Sequence, residues 1–113
     1  MIALLDTNVI IRFLMGDKNV KYKDLRGFFE SLENGKRHCE LKLIVLFQVI
    51  FVLKSFYKVQ KTDIAEVILN LLDYKGIIVK KKINIRSAMK LWRDNKMEIV
   101  DCYLISFLAG DSQ

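Results

Sequence analysis

Residues 1–14 read MIALLDTNVIIRFL. Ile2-Ala3-Leu4-Leu5 is a short apolar run without alternation, the pattern of a strand buried on both faces. It stops at Asp6-Thr7-Asn8, after which Val9, Ile10, Phe13 and Leu14 recur at helical spacing. A carboxylate at the carboxyl end of a central parallel strand lies where open α/β sheets place their ligands. Asp6 is therefore the first candidate for chemistry. Asp, Thr and Asn are also ordinary helix N-caps, because their side-chain oxygens satisfy orphan backbone N–H groups. The two roles are compatible, since Thr7 can cap while Asp6 faces a cleft.

The same alternation of short apolar runs and helical patterns continues along the chain. Gly16-Asp17-Lys18 reads as a turn, and Leu25, Phe28, Phe29 and Leu32 then fall at helical spacing with Gly35 as a stop. Residues 36–42 are polar and read as a connector into a second strand near Leu41–Val45, followed by a helix from Leu46 to Tyr57. Thr62 and Asp63 read as the cap and first-turn acid of a helix whose apolar face is Ile64, Val67, Ile68, Leu71 and Leu72, with Gly76 ending it. Ile77-Ile78-Val79 is a third buried-type strand. Asn84 opens a helix carrying Ile85, Ala88, Met89 and Trp92, and a last helix carries Val100, Tyr103, Leu104, Phe107 and Leu108 until Gly110. Strand–helices repeated three times is most economically an α/β fold with a parallel sheet. A chain of 113 residues without linker, repeat or low-complexity segment reads as one domain, 1–113.

Composition narrows the function classes. A hydrophobic content of 52% argues against disorder. The longest apolar run, Leu43 to Leu53, is interrupted by Gln48 and is too short for a membrane span. No basic region precedes the first apolar residues, so a signal peptide is not expected. Cys39 and Cys102 have no paired spacing and His38 is the lone histidine, which leaves a Cys/His zinc site without ligands. Unpaired, reduced cysteines fit a cytoplasmic protein. The net charge of +6 favours a polyanion such as nucleic acid, or an acidic protein partner.

Two further positions carry weight beside Asp6. Asp101 lies within Glu98-Ile99-Val100-Asp101-Cys102-Tyr103, at the start of an apolar helix. The helix dipole accounts for Glu98. It accounts less well for Asp101, which falls among residues expected to be partly buried, where a carboxylate needs a partner or a metal. Gln48 is the sole polar residue of its apolar run; it is a satisfied core amide or it lines a polar cleft. Carboxylates that converge without a histidine base suggest a hard divalent cation, Mg²⁺ or Mn²⁺, which also relieves their mutual repulsion. Such a cation supports in-line attack on phosphate. With a basic surface, a metal-dependent nuclease is indicated.

At this point three segments become informative together: MIALLDTNVIIRFL, VLFQVIFVLKSFYKV and EIVDCYLISFLA. They resemble the PIN-domain family, in particular the VapC-type toxins of prokaryotic toxin–antitoxin pairs, in the family's order and over essentially the whole chain. The resemblance implies an α/β/α sandwich, a Mg²⁺- or Mn²⁺-dependent endoribonuclease, a cognate antitoxin and a homodimer. It places Asp6 as the first acid, with Thr7 and Asn8 supporting the site, and Asp101 as the third acid, with Glu98 as an accessory ligand. Gln48 stands at the family's second acid, normally glutamate, and as a neutral amide it is a weaker ligand and no base. Relatives continue past the last helix into a strand ending in an aspartate; this sequence stops at Gln113, and Asp111 does not match that fourth acid. Without that strand, Ile2–Leu5 is expected at an exposed sheet edge covered by another chain or by the tail. These departures support a second reading, a degenerate or shortened PIN domain that binds a partner and cleaves little or no RNA. A phosphoryl-transfer domain of the haloacid-dehalogenase kind needs a second aspartate where Asn8 stands. For RNA phosphates the candidates are Arg12 and the run Lys80-Lys81-Lys82, whose alternative role is a solvated surface.

Overall fold

The computed structural model describes residues 2–16 and 24–111, with side chains described as far as Leu108. The elements are β1 (Ala3–Leu4), α1 (Thr7–Leu14), α2 (Leu25–Glu33), β2 (Cys39–Glu40), α3 (Leu43–Ser55), α4 (Lys61–Leu72), β3 (Ile77–Ile78), α5 (Lys82–Asp94) and α6 (Ile99–Asp111). The strands form one parallel sheet in the order β1-β2-β3, with Ala3 beside Cys39 and Cys39 beside Ile77. This is the helix-rich α/β fold read from the sequence, a PIN-like α/β/α arrangement around a parallel sheet.

Each strand is short, and its hydrogen bonds continue just past its ends. Leu5 N–H donates to the Glu40 carbonyl, Leu41 N–H to that of Ile78, and Cys39 N–H to that of Gly76, all at 2.9 Å. The core takes one stripe from each helix. Ile10 and Ile11 come from α1, Phe29 and Leu32 from α2, and Leu46, Val49, Ile50 and Leu53 from α3. Ile64, Ala65, Ile68, Leu69, Leu71 and Leu72 of α4, Ile85, Ala88, Met89 and Trp92 of α5 and Cys102 of α6 join it, with Leu5, Cys39, Leu41 and Ile77 from the sheet region. The predicted faces of α2, α4 and α5 are thus the buried ones, apart from half-buried Leu25, Phe28 and Val67. Phe13 stacks on Phe29 with ring centroids 3.9 Å apart, joining α1 to α2.

Several local expectations are corrected. β1 is not buried on both faces: it is an outer strand, Leu4 is 61% exposed, and Leu5 alone of the run is buried. The edge position is the one the resemblance implied, because β1 pairs with β2 and with no other strand among the described residues. The second strand is Cys39–Glu40 rather than 41–45, and α3 begins at Leu43. β-branched Ile44 and Val45 look strand-like locally, but helical pairing from Lys42 lets Leu46, Val49 and Leu53 share one buried face. The N-cap of α4 is Gln60, so Thr62 lies inside the first turn with Asp63. Asn84 does not cap α5; that position is Lys81, in the left-handed region at φ 59°, and the Asn84 amide instead donates to the Ser106 carbonyl at 2.9 Å. Among the described side chains of α6, Cys102 and Ser106 are buried, whereas Val100, Leu104 and Leu108 are exposed, and the helix runs through Gly110. Gly16 does turn, at φ 66°; Asp17 and Lys18 lie outside the described residues.

Gly76 is not a helix stop, since α4 ends at Leu72. Its N–H donates to the Leu32 carbonyl at 2.7 Å, and a Cβ there would fall 1.9 Å from the Arg37 carbonyl oxygen. Glycine is required by this close backbone approach between the end of α2 and the start of β3.

Candidate active site

Asp6 occupies the junction between β1 and α1. Its backbone is extended (φ −91°, ψ 144°), and its carboxylate Oδ2 accepts a 3.1 Å hydrogen bond from the Asn8 N–H, which makes it the N-cap of α1. One of its two carboxylate oxygens serves the cap. The side chain is nevertheless exposed and borders an open cleft of about 530 Å³, lined by Asp6, Thr7, Asn8, Gln48 and Phe51 together with Phe47 and Val52. The helix dipole of α1 adds partial positive charge at this end, which favours an anion.

Packing of α1 on α3 brings Gln48 to the same cleft. Gln48 is exposed, so it is not a buried core amide. The Thr7 hydroxyl donates to Gln48 Oε1 at 2.8 Å, tying residues that are 41 apart in sequence. Phe47 and Phe51 are cleft residues that were not singled out from the sequence. Their signal was their spacing from Gln48, one residue and three residues away on the same helix.

Asp101 lies in the first turn of α6 and Glu98 immediately precedes the helix; both are exposed, and neither is a lining residue of the Asp6 cleft. Asp101 was expected among partly buried residues, and its exposed position needs no partner to offset burial. The link between α6 and the cleft is Phe47, which meets Tyr103 edge-on at 5.9 Å between centroids. The Cys102 thiol is pushed up from its ordinary pKa by burial first, and then by the neighbouring Asp101 carboxylate.

The basic candidates separate. The Lys82 ammonium donates to the Ile77 carbonyl at 3.2 Å, which ties it to the fold, and Lys81 sits over the Phe107 ring at 5.5 Å. Lys80 is exposed and, with Lys81, lines a second cleft of about 210 Å³ that also includes Glu40, Lys42 and Tyr103 at the carboxyl ends of β2 and β3. Lys42 and Glu40 form an ion pair there at 3.1 Å. Arg12 is half-buried on α1.

The oxygen donors of the Asp6 cleft are of the hard kind that Mg²⁺ or Mn²⁺ takes. Among the described residues, however, no group of three or more His, Cys, Asp and Glu side chains gathers where it could hold a metal ion. Mg²⁺ is commonly held by one or two carboxylates together with substrate phosphate, and keeps water for the rest. The donor set fits a cation shared with substrate in that way, and does not fit one caged by protein alone.

No helix among the described residues is long and apolar enough to cross a membrane. No protein-family model and no solved structure matches the chain. Among curated proteins it is similar to the VapC ribonuclease of Aquifex aeolicus (strain VF5), with 31% identity over 99 residues, covering 88% of this chain and 73% of that relative. A likeness of this extent, on a fold with Asp6 at a strand end beside a cleft, places the chain in the VapC family of PIN-type proteins.

Proposed function

We propose that this protein is an endoribonuclease, the toxin of a toxin–antitoxin pair, and that RNA is cleaved in the Asp6 cleft. The observation that carries the reading is Asp6 itself, a carboxylate at a strand end, exposed on an open cleft, in a chain similar to a VapC ribonuclease. Asp6 would hold Mg²⁺ or Mn²⁺ jointly with an RNA phosphate, with Gln48 as a neutral oxygen ligand beside it. Bound there, the cation supplies positive charge for in-line attack on the phosphodiester.

The remaining roles belong to the chain's own groups. Thr7 orients the Gln48 amide, and Asn8 N–H holds the Asp6 carboxylate at one oxygen. Asp101 and Glu98 are assigned to the metal once RNA is bound. Arg12, Lys80 and Lys81 are assigned to phosphates outside the cleft, and Lys82 to positioning that cluster. The exposed β1 edge and the exposed apolar residues Val100, Leu104, Ile105 and Leu108 of α6 are assigned to protein partners, a cognate antitoxin and a second copy of the chain. The working compartment is the cytoplasm.

Gln48 favours a second reading. With an amide at the second acid position the cleft has one carboxylate, which suits a degenerate PIN domain that binds its partner with little or no cleavage. Incubation of a mixed pool of structured RNA in Mn²⁺ separates the two. Cleavage abolished by EDTA and by Asp6→Asn supports the nuclease; a folded chain that leaves the pool intact supports the degenerate reading.

A further inference from the structure

We infer that Phe51 is a stacking platform for an unpaired RNA base at the mouth of the Asp6 cleft, an inference that rests on the nuclease reading. α3 is apolar nearly throughout, and most of it is buried or half-buried. Phe51 lies on the exposed face of α3 with Ile44 and Gln48; it is 68% exposed and, unlike Ile44, lines the cleft together with Asp6 and Gln48. Exposure of an apolar side chain does not by itself mark a site. A flat ring presented beside the candidate site of phosphate chemistry, in a chain of net charge +6, matches how single-stranded nucleic acid is held, by bases on aromatic faces and backbone on cations.

Helical spacing provides both partners of such a contact. Gln48 is three residues before Phe51 and Lys54 is three residues after it, so all three lie along one side of α3. Lys54 is exposed, one turn from the ring, and offers its ammonium to the phosphate of the stacked nucleotide. The Thr7–Gln48 hydrogen bond fixes the near end of this row to α1. A base on Phe51 would therefore hold the adjoining phosphate toward Asp6. Bases within a duplex have no free face to offer, so the substrate is unpaired RNA, in a loop or a single strand.

The test is binding of an oligoribonucleotide carrying 2-aminopurine, single-stranded or in a blunt duplex, to the full chain in EDTA. It compares wild type with Phe51→Leu, which keeps an apolar helix former, and Phe51→Trp, which keeps a ring; circular dichroism checks that each folds. Wild type and Phe51→Trp are expected to quench the single-strand fluorescence. Phe51→Leu is expected to lose the quenching and to bind about tenfold more weakly, with duplex binding unchanged. Equal quenching and affinity in Phe51→Leu overturns the inference. So does a loss of self-association in Phe51→Leu with RNA affinity intact, which would assign the ring to a contact between copies. Asp6-dependent cleavage alongside an indifferent Phe51 refutes the platform and leaves the nuclease standing. Phe51-dependent binding without Asp6-dependent cleavage does the reverse.

Discussion

The Thr7 hydroxyl donates a 2.8 Å hydrogen bond to Gln48 Oε1 and so joins the first turn of α1 to the middle of α3 across the mouth of the cleft. A glutamate at position 48 would accept the same bond from Thr7 and bring a second carboxylate to the Asp6 site. Gln48→Glu is expected to bind Mn²⁺ at least about tenfold tighter by calorimetry, since charged oxygen ligands raise affinity for hard cations. It should also unfold at a lower temperature than wild type in EDTA, where two like charges repel, and recover in Mn²⁺. Unchanged Mn²⁺ affinity would remove residue 48 from the metal site.

Asp6 has two separable roles. Asparagine caps helices as well as aspartate does, so Asp6→Asn should leave stability within about 0.5 kcal/mol of wild type, whereas Asp6→Ala, which removes the acceptor for Asn8 N–H, should cost about 1 kcal/mol. Both should abolish metal-dependent cleavage. If urea unfolding gave the two variants the same loss of stability, the cap would not be a stabilising contact.

Gly76→Ala is expected to destabilise the fold by at least about 3 kcal/mol, because the new methyl group would meet the Arg37 carbonyl oxygen at 1.9 Å and the Leu32 carbonyl oxygen at 2.8 Å. Backbone oxygens cannot step aside as a flexible side chain can. A urea midpoint near that of wild type would contradict the close approach.

Burial raises the pKa of the Cys39 and Cys102 thiols above their ordinary value of 9.0, and Asp101 adds to the shift of Cys102. Above pH 9 the unfolded chain releases these protons while the folded chain keeps them. Their contribution to stability is therefore complete below pH 9 and is lost as the pH rises through 9.0 toward the raised folded values. Tyr74, raised by burial and then by Glu33, acts in the same direction above pH 10. Urea midpoints should fall steadily from pH 8.5 to 10.5; a flat profile would contradict the burial.

The fold was legible wherever apolar residues recurred at helical spacing with polar residues between them. Helices α2, α4 and α5 show their buried faces at helical spacing, and the βα junction at Asp6 announces the sheet. What failed was local. Ile44 and Val45 have strand propensity that tertiary packing overrides. α6 is apolar on every side, so spacing could not tell its covered face from its exposed one. At the site, Asp6, Thr7, Asn8 and Gln48 were legible as residue types at the end of a strand and within an apolar run. Phe51 stands three residues after Gln48, a spacing the sequence shows, but its 68% exposure beside the cleft is a fact of packing that an aromatic residue in an apolar helix does not announce.

The most direct measurement of the central claim is single-turnover cleavage of one structured RNA in Mn²⁺ by wild type, Asp6→Asn and Gln48→Glu, all verified as folded. An Asp6 cleft that cleaves RNA with a shared cation predicts that Gln48→Glu is the fastest, wild type is slower, and Asp6→Asn gives no cleavage above the EDTA background. Cleavage by Asp6→Asn at the wild-type rate would contradict the account.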